Sequence, residues 1–128
     1  MAAPALLLDA GMRRAQRLRQ RREFAAVYRQ GRSYRSDLLV LRALRTGHEL
    51  SRFGFTVRQA LGNAVVRNRI KRRLREAVRS LPVAAGWDLV LNARAGAVEV
   101  DYHRLRAEVG KLMASAGVLE DRERGSGG

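Results

Sequence analysis

Residues 62–82 carry apolar side chains at Val66, Ile70, Leu74, Ala77, Val78 and Leu81, a helical spacing with no glycine or proline from 64 to 81. At about 100° per residue this set occupies roughly one third of the helix circumference. Opposite it fall Asn68, Lys71, Arg72, Arg75 and Arg79, with Arg67, Arg69 and Arg73 on the flanks. Such a helix has to lay its oily side on a second layer, because packing of an amphipathic face supplies most of a helix's stability in a protein. Asn63 is the predicted N-cap, since its side-chain oxygen can accept from a first-turn amide, and Pro82 marks the predicted end.

The cationic side of that helix belongs to a wider asymmetry. The 128 residues carry a formal net charge of +14, with 20 basic and 5 acidic side chains in residues 1–80 against 6 and 7 in residues 81–128. Six arginines in residues 13–22 and seven basic residues in 67–79 supply most of the excess. Clustered positive charge makes a directional field that orients a polyanion, and arginine, 24 of the 26 basic residues, matches phosphate oxygens with a planar fork. Arginine richness alone also follows from a GC-rich genome, so the clustering carries the reading. A basic partner is excluded. The absence of cysteine removes disulfides, thiol nucleophiles and thiolate metal sites, and a cytoplasmic protein is expected. The apolar run of residues 5–8 is far short of the roughly 20 residues that cross a bilayer, so no membrane association is expected.

The length suits one domain. Phe24, Val27 and Tyr28 share one face of a short predicted helix that starts near Arg21 and ends at Gly31, a suitable C′ residue. Residues 38–44, 53–57 and 87–93 read as strands, with Leu39, Leu41 and Ala43 on one side of the first and Leu89 and Leu91 on one side of the last. Residues 46–49 read as a turn, and an additional short strand is allowed for. Asp101 opens a last helix with Leu105, Val109, Leu112, Met113 and Ala116 as its core stripe. Residues 1–16 form the expected flexible N-terminal extension, with the composition of a targeting peptide as its other reading. The residues between this extension and a flexible tail at 117–128 are the expected folded domain. These elements predict an α+β sandwich of helices on a small sheet.

Catalytic chemistry finds little to work with. His48 in a turn and His103 in the last helix suit neither a zinc pair nor a dyad. Asp88, Glu99 and Asp101 are the carboxylates that could meet near the last strand, and helix capping already explains Asp101. No catalytic residue and no protein metal site is assigned. Lys71 with Arg75, and Arg75 with Arg79, repel at i, i+4 with only Glu76 as a local countercharge, a pattern that makes sense with phosphates. Phe24 and Tyr28 are either core aromatics or stacking platforms for single-stranded bases.

Residues 62–75, GNAVVRNRIKRRLR, resemble the signature of the protein subunit of bacterial ribonuclease P. Arg17-Leu18, Glu23-Phe24, Val27-Tyr28 and Gly31 upstream, and the strands at 53–57 and 87–91, extend the resemblance over residues 17–116. It implies an αβββαβα two-layer sandwich with a left-handed strand-helix-strand crossover. It also implies that a large RNA subunit, which mainly holds the Mg2+, performs endonucleolytic removal of the 5′ leader from precursor tRNA. The protein would bind that catalytic RNA and the leader. Arg67, Asn68, Arg69, Lys71, Arg72 and Arg75 would meet RNA phosphates, and Arg58 and Arg79 complete the RNA-binding set. Phe24, Tyr28 and Arg42 would line the leader cleft. The chain departs from the family at Gln59-Ala60, where lysines are usual, and at Arg42, where an aromatic is common. Two rival classes stand beside this reading: a basic RNA-binding or ribosome-associated protein without a processing role, and a DNA-binding regulator. The second would need polar base-reading side chains that the cationic helix lacks, so no DNA partner is expected.

Overall fold

The computed structural model describes residues 14–120. Their elements run α1 (Arg21–Gln30), β1 (Arg32–Arg35), β2 (Leu39–Arg45), β3 (Arg52–Thr56), α2 (Ala64–Arg79), β4 (Trp87–Ala93) and α3 (Tyr102–Ala116), the αβββαβα order. The amphipathic segment becomes α2, capped by Asn63, whose side chain accepts from the Val66 amide at 3.0 Å. It ends at Arg79, before Leu81, because the Ser80 hydroxyl takes up the Ala77 carbonyl and closes the last turn. Asp101 caps α3 in the same way through the Arg104 amide.

The sheet order is β1-β2-β4-β3, antiparallel throughout except for parallel β3 and β4. Residues 46–51 therefore do not close a hairpin. They carry the chain past the start of β4, where the amides of Thr46 and Gly47 both donate to the Gly86 carbonyl. Register sets alternate rows on opposite faces. Leu41, Leu91 and Phe55 form one row, and Arg42, Val90 and Gly54 the next.

The first face takes the α2 side chains Ile70, Leu74, Ala77 and Val78 and the α3 side chains Leu105, Val109, Leu112 and Met113, all buried. That is the two-layer sandwich. Helix α1 lies on the other face, where Val27, Leu18 and Val90 form a separate small cluster with Phe24 and Leu44. Gly31 ends α1 in an extended conformation, φ −81°, not the left-handed one expected of a C′ glycine. Its missing side chain matters for another reason: a Cβ there would lie 2.6 Å from the Val27 carbonyl oxygen and 2.8 Å from that of Ala43. Glycine lets α1 turn directly into the sheet.

The folded unit is longer than residues 17–116. Residues 14–16 form a 3-10 turn, Arg17 bridges to Phe53, Val118 is fully buried and Leu119 pairs with Val83. The start of the tail is thus part of the core, and the other expected flexible residues, 1–13 and 121–128, lie outside the described residues. No helix among the described residues is long and apolar enough to cross a membrane.

Candidate RNA interface

Two surfaces gather the candidate residues. The first is the outer side of α2, where Asn68, Arg72 and Arg79 are exposed while Arg67, Arg69, Lys71 and Arg75 are half-buried. Arg67 leans back to donate from Nε to the Gly62 carbonyl at 3.1 Å, and Arg73 donates to the Val100 carbonyl. Neither contact neutralises charge. The two salt bridges among the described residues both belong to Arg52, so Glu76 neutralises none of the α2 cations. Burial, then the neighbouring Arg17 and Arg72, make the Arg75 guanidinium a stronger acid than usual. Arg17, Lys71 and Arg75 line a cavity of about 190 Å³ that reaches Phe24 and Gly54. Arg17 is brought there by its backbone bridge beside β3, a pairing that no local spacing in the sequence announces.

The second surface is the cleft between α1 and the sheet. Phe24 sits over Gly54, where a Cβ would fall 2.4 Å from its ring, so glycine makes the room for the aromatic. Tyr28 is 41% exposed and its hydroxyl accepts from Asn92 Nδ2 at 2.8 Å; the same amide donates to Thr56 Oγ1. Arg42 places its guanidinium 4.7 Å from the centre of the Tyr28 ring and donates to Ser33 Oγ at 2.9 Å. Arg42 is therefore held as a cation–π partner of Tyr28. Arg42 Nε and Asn92 Oδ1 are buried without a hydrogen-bond partner among the described residues.

Beyond Tyr28 a groove of about 530 Å³ is lined by Arg35, Arg42, Thr56, Arg58, Asn92 and Arg94, among others. Arg58 thus joins the cleft and not the α2 face. Arg35 and Arg94 are functional candidates that the sequence reading missed: one lies on the short edge strand β1, the other just past the end of β4. The carboxylates do not converge. Asp88, the second residue of β4, is bound by Arg52, whereas Asp101 lies past the far end of that strand, so the trio with Glu99 never forms. Among the described residues no three His, Cys, Asp or Glu side chains come together. His48 and His103 are both exposed and lie on separate elements.

Exposed Tyr28 and the arginines around it without carboxylate partners, beside a helix that turns cations outward, give a surface whose chemistry suits a flexible phosphate-bearing chain. Comparison with known proteins identifies the family. Residues 12–117 match the model of a family described as Ribonuclease P. The chain is 46% identical over 112 residues to the ribonuclease P protein component of Roseiflexus castenholzii, which covers 85% of this chain and 92% of that one. It is 40% identical over 108 residues to the corresponding protein of Dehalococcoides mccartyi strain CBDB1, covering 84% and 90%. The RNase P protein of Staphylococcus aureus superposes with a TM-score of 0.76 at 26% identity, covering 84% of this chain and 100% of that one. That of Thermotoga maritima gives 0.70 at 30% identity, covering 75% and 93%. The chain belongs to the ribonuclease P protein family.

Proposed function

We propose that this chain serves, in the cytoplasm, as the protein component of a ribonucleoprotein that removes the 5′ leader from precursor tRNA. In this reading α2 binds the catalytic RNA and the cleft under α1 holds the unpaired leader. Hydrolysis and its Mg2+ are assigned to the RNA. Hydrated magnesium takes carboxylate and phosphate oxygens. Three of the protein's carboxylates are committed elsewhere: Glu23 and Asp88 to Arg52, and Asp101 to a helix cap. The groove beyond Tyr28 is lined by four arginines with Thr56 and Asn92 and has Asp37 as its one carboxylate, and among the described residues no three His, Cys, Asp or Glu side chains converge to hold a metal ion.

The observation that carries the proposal is the set of α2 and cleft arginines left without carboxylate partners among the described residues. A folded domain tolerates such repulsion when a polyanion relieves it. Positioning then supplies the protein's share of catalysis: Tyr28 and Phe24 offer faces to any base, and Arg42, Arg58 and Arg94 offer donors to the phosphates between them.

The test is reconstitution with the cognate large RNA. Adding the protein at low magnesium should speed cleavage of a leader-bearing precursor and make that precursor bind more tightly than mature tRNA. Equal affinity for the two, with no change in rate, would leave a basic RNA-binding protein without a processing role.

A further inference from the structure

The arginine that is neutralised is as informative as those that are not. Arg52, the first residue of β3, donates through Nε and Nη2 to both oxygens of Asp88 at 3.0 and 2.7 Å. Its Nη1 donates to Glu23 Oε2 at 2.8 Å. Asp88 is 3% exposed. The other Glu23 oxygen accepts from the amides of Arg19 and Gln20 at 2.8 and 2.9 Å. One run of charge-assisted bonds therefore ties the start of β4 to the start of β3, and through it to the first turn of α1.

The placement of this run is specific. Arg52 and Asp88 are register partners in the row next to Gly54 and Val90, on the face that α1 covers. Glu23 immediately precedes Phe24, whose ring fills the space above Gly54, and Tyr28 stands one turn further along the same helix. The apolar contacts holding α1 to this face are few, three buried residues with Phe24 and Leu44. A helix so lightly packed takes its pitch over the sheet from whatever pins its end.

We propose that Arg52, held by Asp88 and holding Glu23, is a positioning residue for leader recognition: it sets how far α1 stands from the sheet, and so the width of the cleft between Phe24 and Tyr28 on the helix and Arg42 and Asn92 on the sheet. This rests on the assignment of that cleft to the leader. Arg52 touches no substrate in this scheme and acts through Phe24.

The test uses the reconstituted holoenzyme and reads three affinities: the protein for the large RNA, and the holoenzyme for leader-bearing precursor and for mature tRNA. Glu23→Gln keeps size and removes the charge. It should reduce the preference for leader-bearing precursor by about fivefold, the scale of coupling between groups in one network, and leave the other two affinities unchanged. Arg52→Lys should lower the preference similarly, because lysine cannot span Asp88 and Glu23 with a fork. In a Phe24→Ala background Glu23→Gln should add nothing further. If Glu23→Gln melts at a lower temperature yet retains the full preference, or if its effect persists undiminished without Phe24, the ion-pair run only stabilises the fold and the proposal is overturned. If the unsubstituted holoenzyme itself shows no preference for the leader, the cleft assignment fails first, and the positioning role with it.

Discussion

On the side facing α2 and α3, the sheet presents rows such as Leu41, Leu91 and Phe55, and two helices close over them with leucine, isoleucine, valine and methionine. On the side facing α1 the rows are Leu44, Asp88 and Arg52; then Arg42, Val90 and Gly54; then Val40, Asn92 and Thr56. One helix covers the first two of these and leaves the third at an open groove. The first surface is bound by area, the second by a few directional contacts. A protein that must hold a flexible ligand of varying sequence gains from this division: the stable half keeps the strands in register while the other half stays accessible.

The sharpest way to break the comparison is to cut into the closed face. Ile70→Ala removes a side chain that is 1% exposed and should cost about 2–5 kcal/mol in unfolding free energy, measured by denaturant titration. A near-neutral result would mean that α2 is not seated on the sheet. On the open face the corresponding experiment adds atoms. Gly54→Val forces its Cβ into the Phe24 ring, and overpacking of this kind should cost about 1–3 kcal/mol. The same variant should lose preference for leader-bearing precursor, whereas Ile70→Ala, at a temperature where it is folded, should keep it.

The two faces also differ in how far the sequence announces them. The α2–α3 side is legible because its apolar positions repeat with helical or alternating periods over long stretches, and because Asn63 and Asp101 are good caps at the right places. The strand at Trp87–Ala93 is legible for the same reason, but its insertion between β2 and β3 is not, since short apolar strands satisfy several pairings equally well. The α1 side is built from separations that leave no local trace. Arg52 meets Glu23 and Asp88 across 29 and 36 positions, and Tyr28 meets Asn92 across 64. Leu18 enters the small cluster only because the segment before α1 pairs with β3. Of the candidate site, the outward cations of α2 followed from periodicity and the aromatics Phe24 and Tyr28 from family resemblance. Arg17, Arg35 and Arg94 required the folded chain.

A smaller effect separates the faces by pH. The Gln20 and Arg19 amides, with help from Arg52, hold the Glu23 carboxyl below the ordinary glutamate range against the opposing effect of burial. A carboxyl depressed in the folded state contributes stability that is complete above its unfolded value and disappears as pH falls through the folded one. Thermal melts of the protein should accordingly show stability falling on acidification, with a shallower fall in Glu23→Gln. Parallel profiles for the two proteins would show that Glu23 does not tie α1 down.

The smallest effect on folding is expected on the outside of the same helix whose inside tolerates least. Arg72 is exposed, and Arg75 is half-buried, with burial and then the neighbouring Arg17 and Arg72 weakening its hold on its proton. Replacing both with alanine removes repulsion as well as contact, so unfolding free energy should change by no more than about 0.5 kcal/mol. The loss should appear in binding instead. If each guanidinium meets a phosphate of the large RNA, the dependence of log affinity on log salt should become shallower by about 0.7–0.9 per arginine removed. A double variant with unaltered slope but reduced stability would place these side chains in the fold's own service. A shallower slope with unaltered stability would assign the inner side of α2 to the sheet and its outer side to RNA.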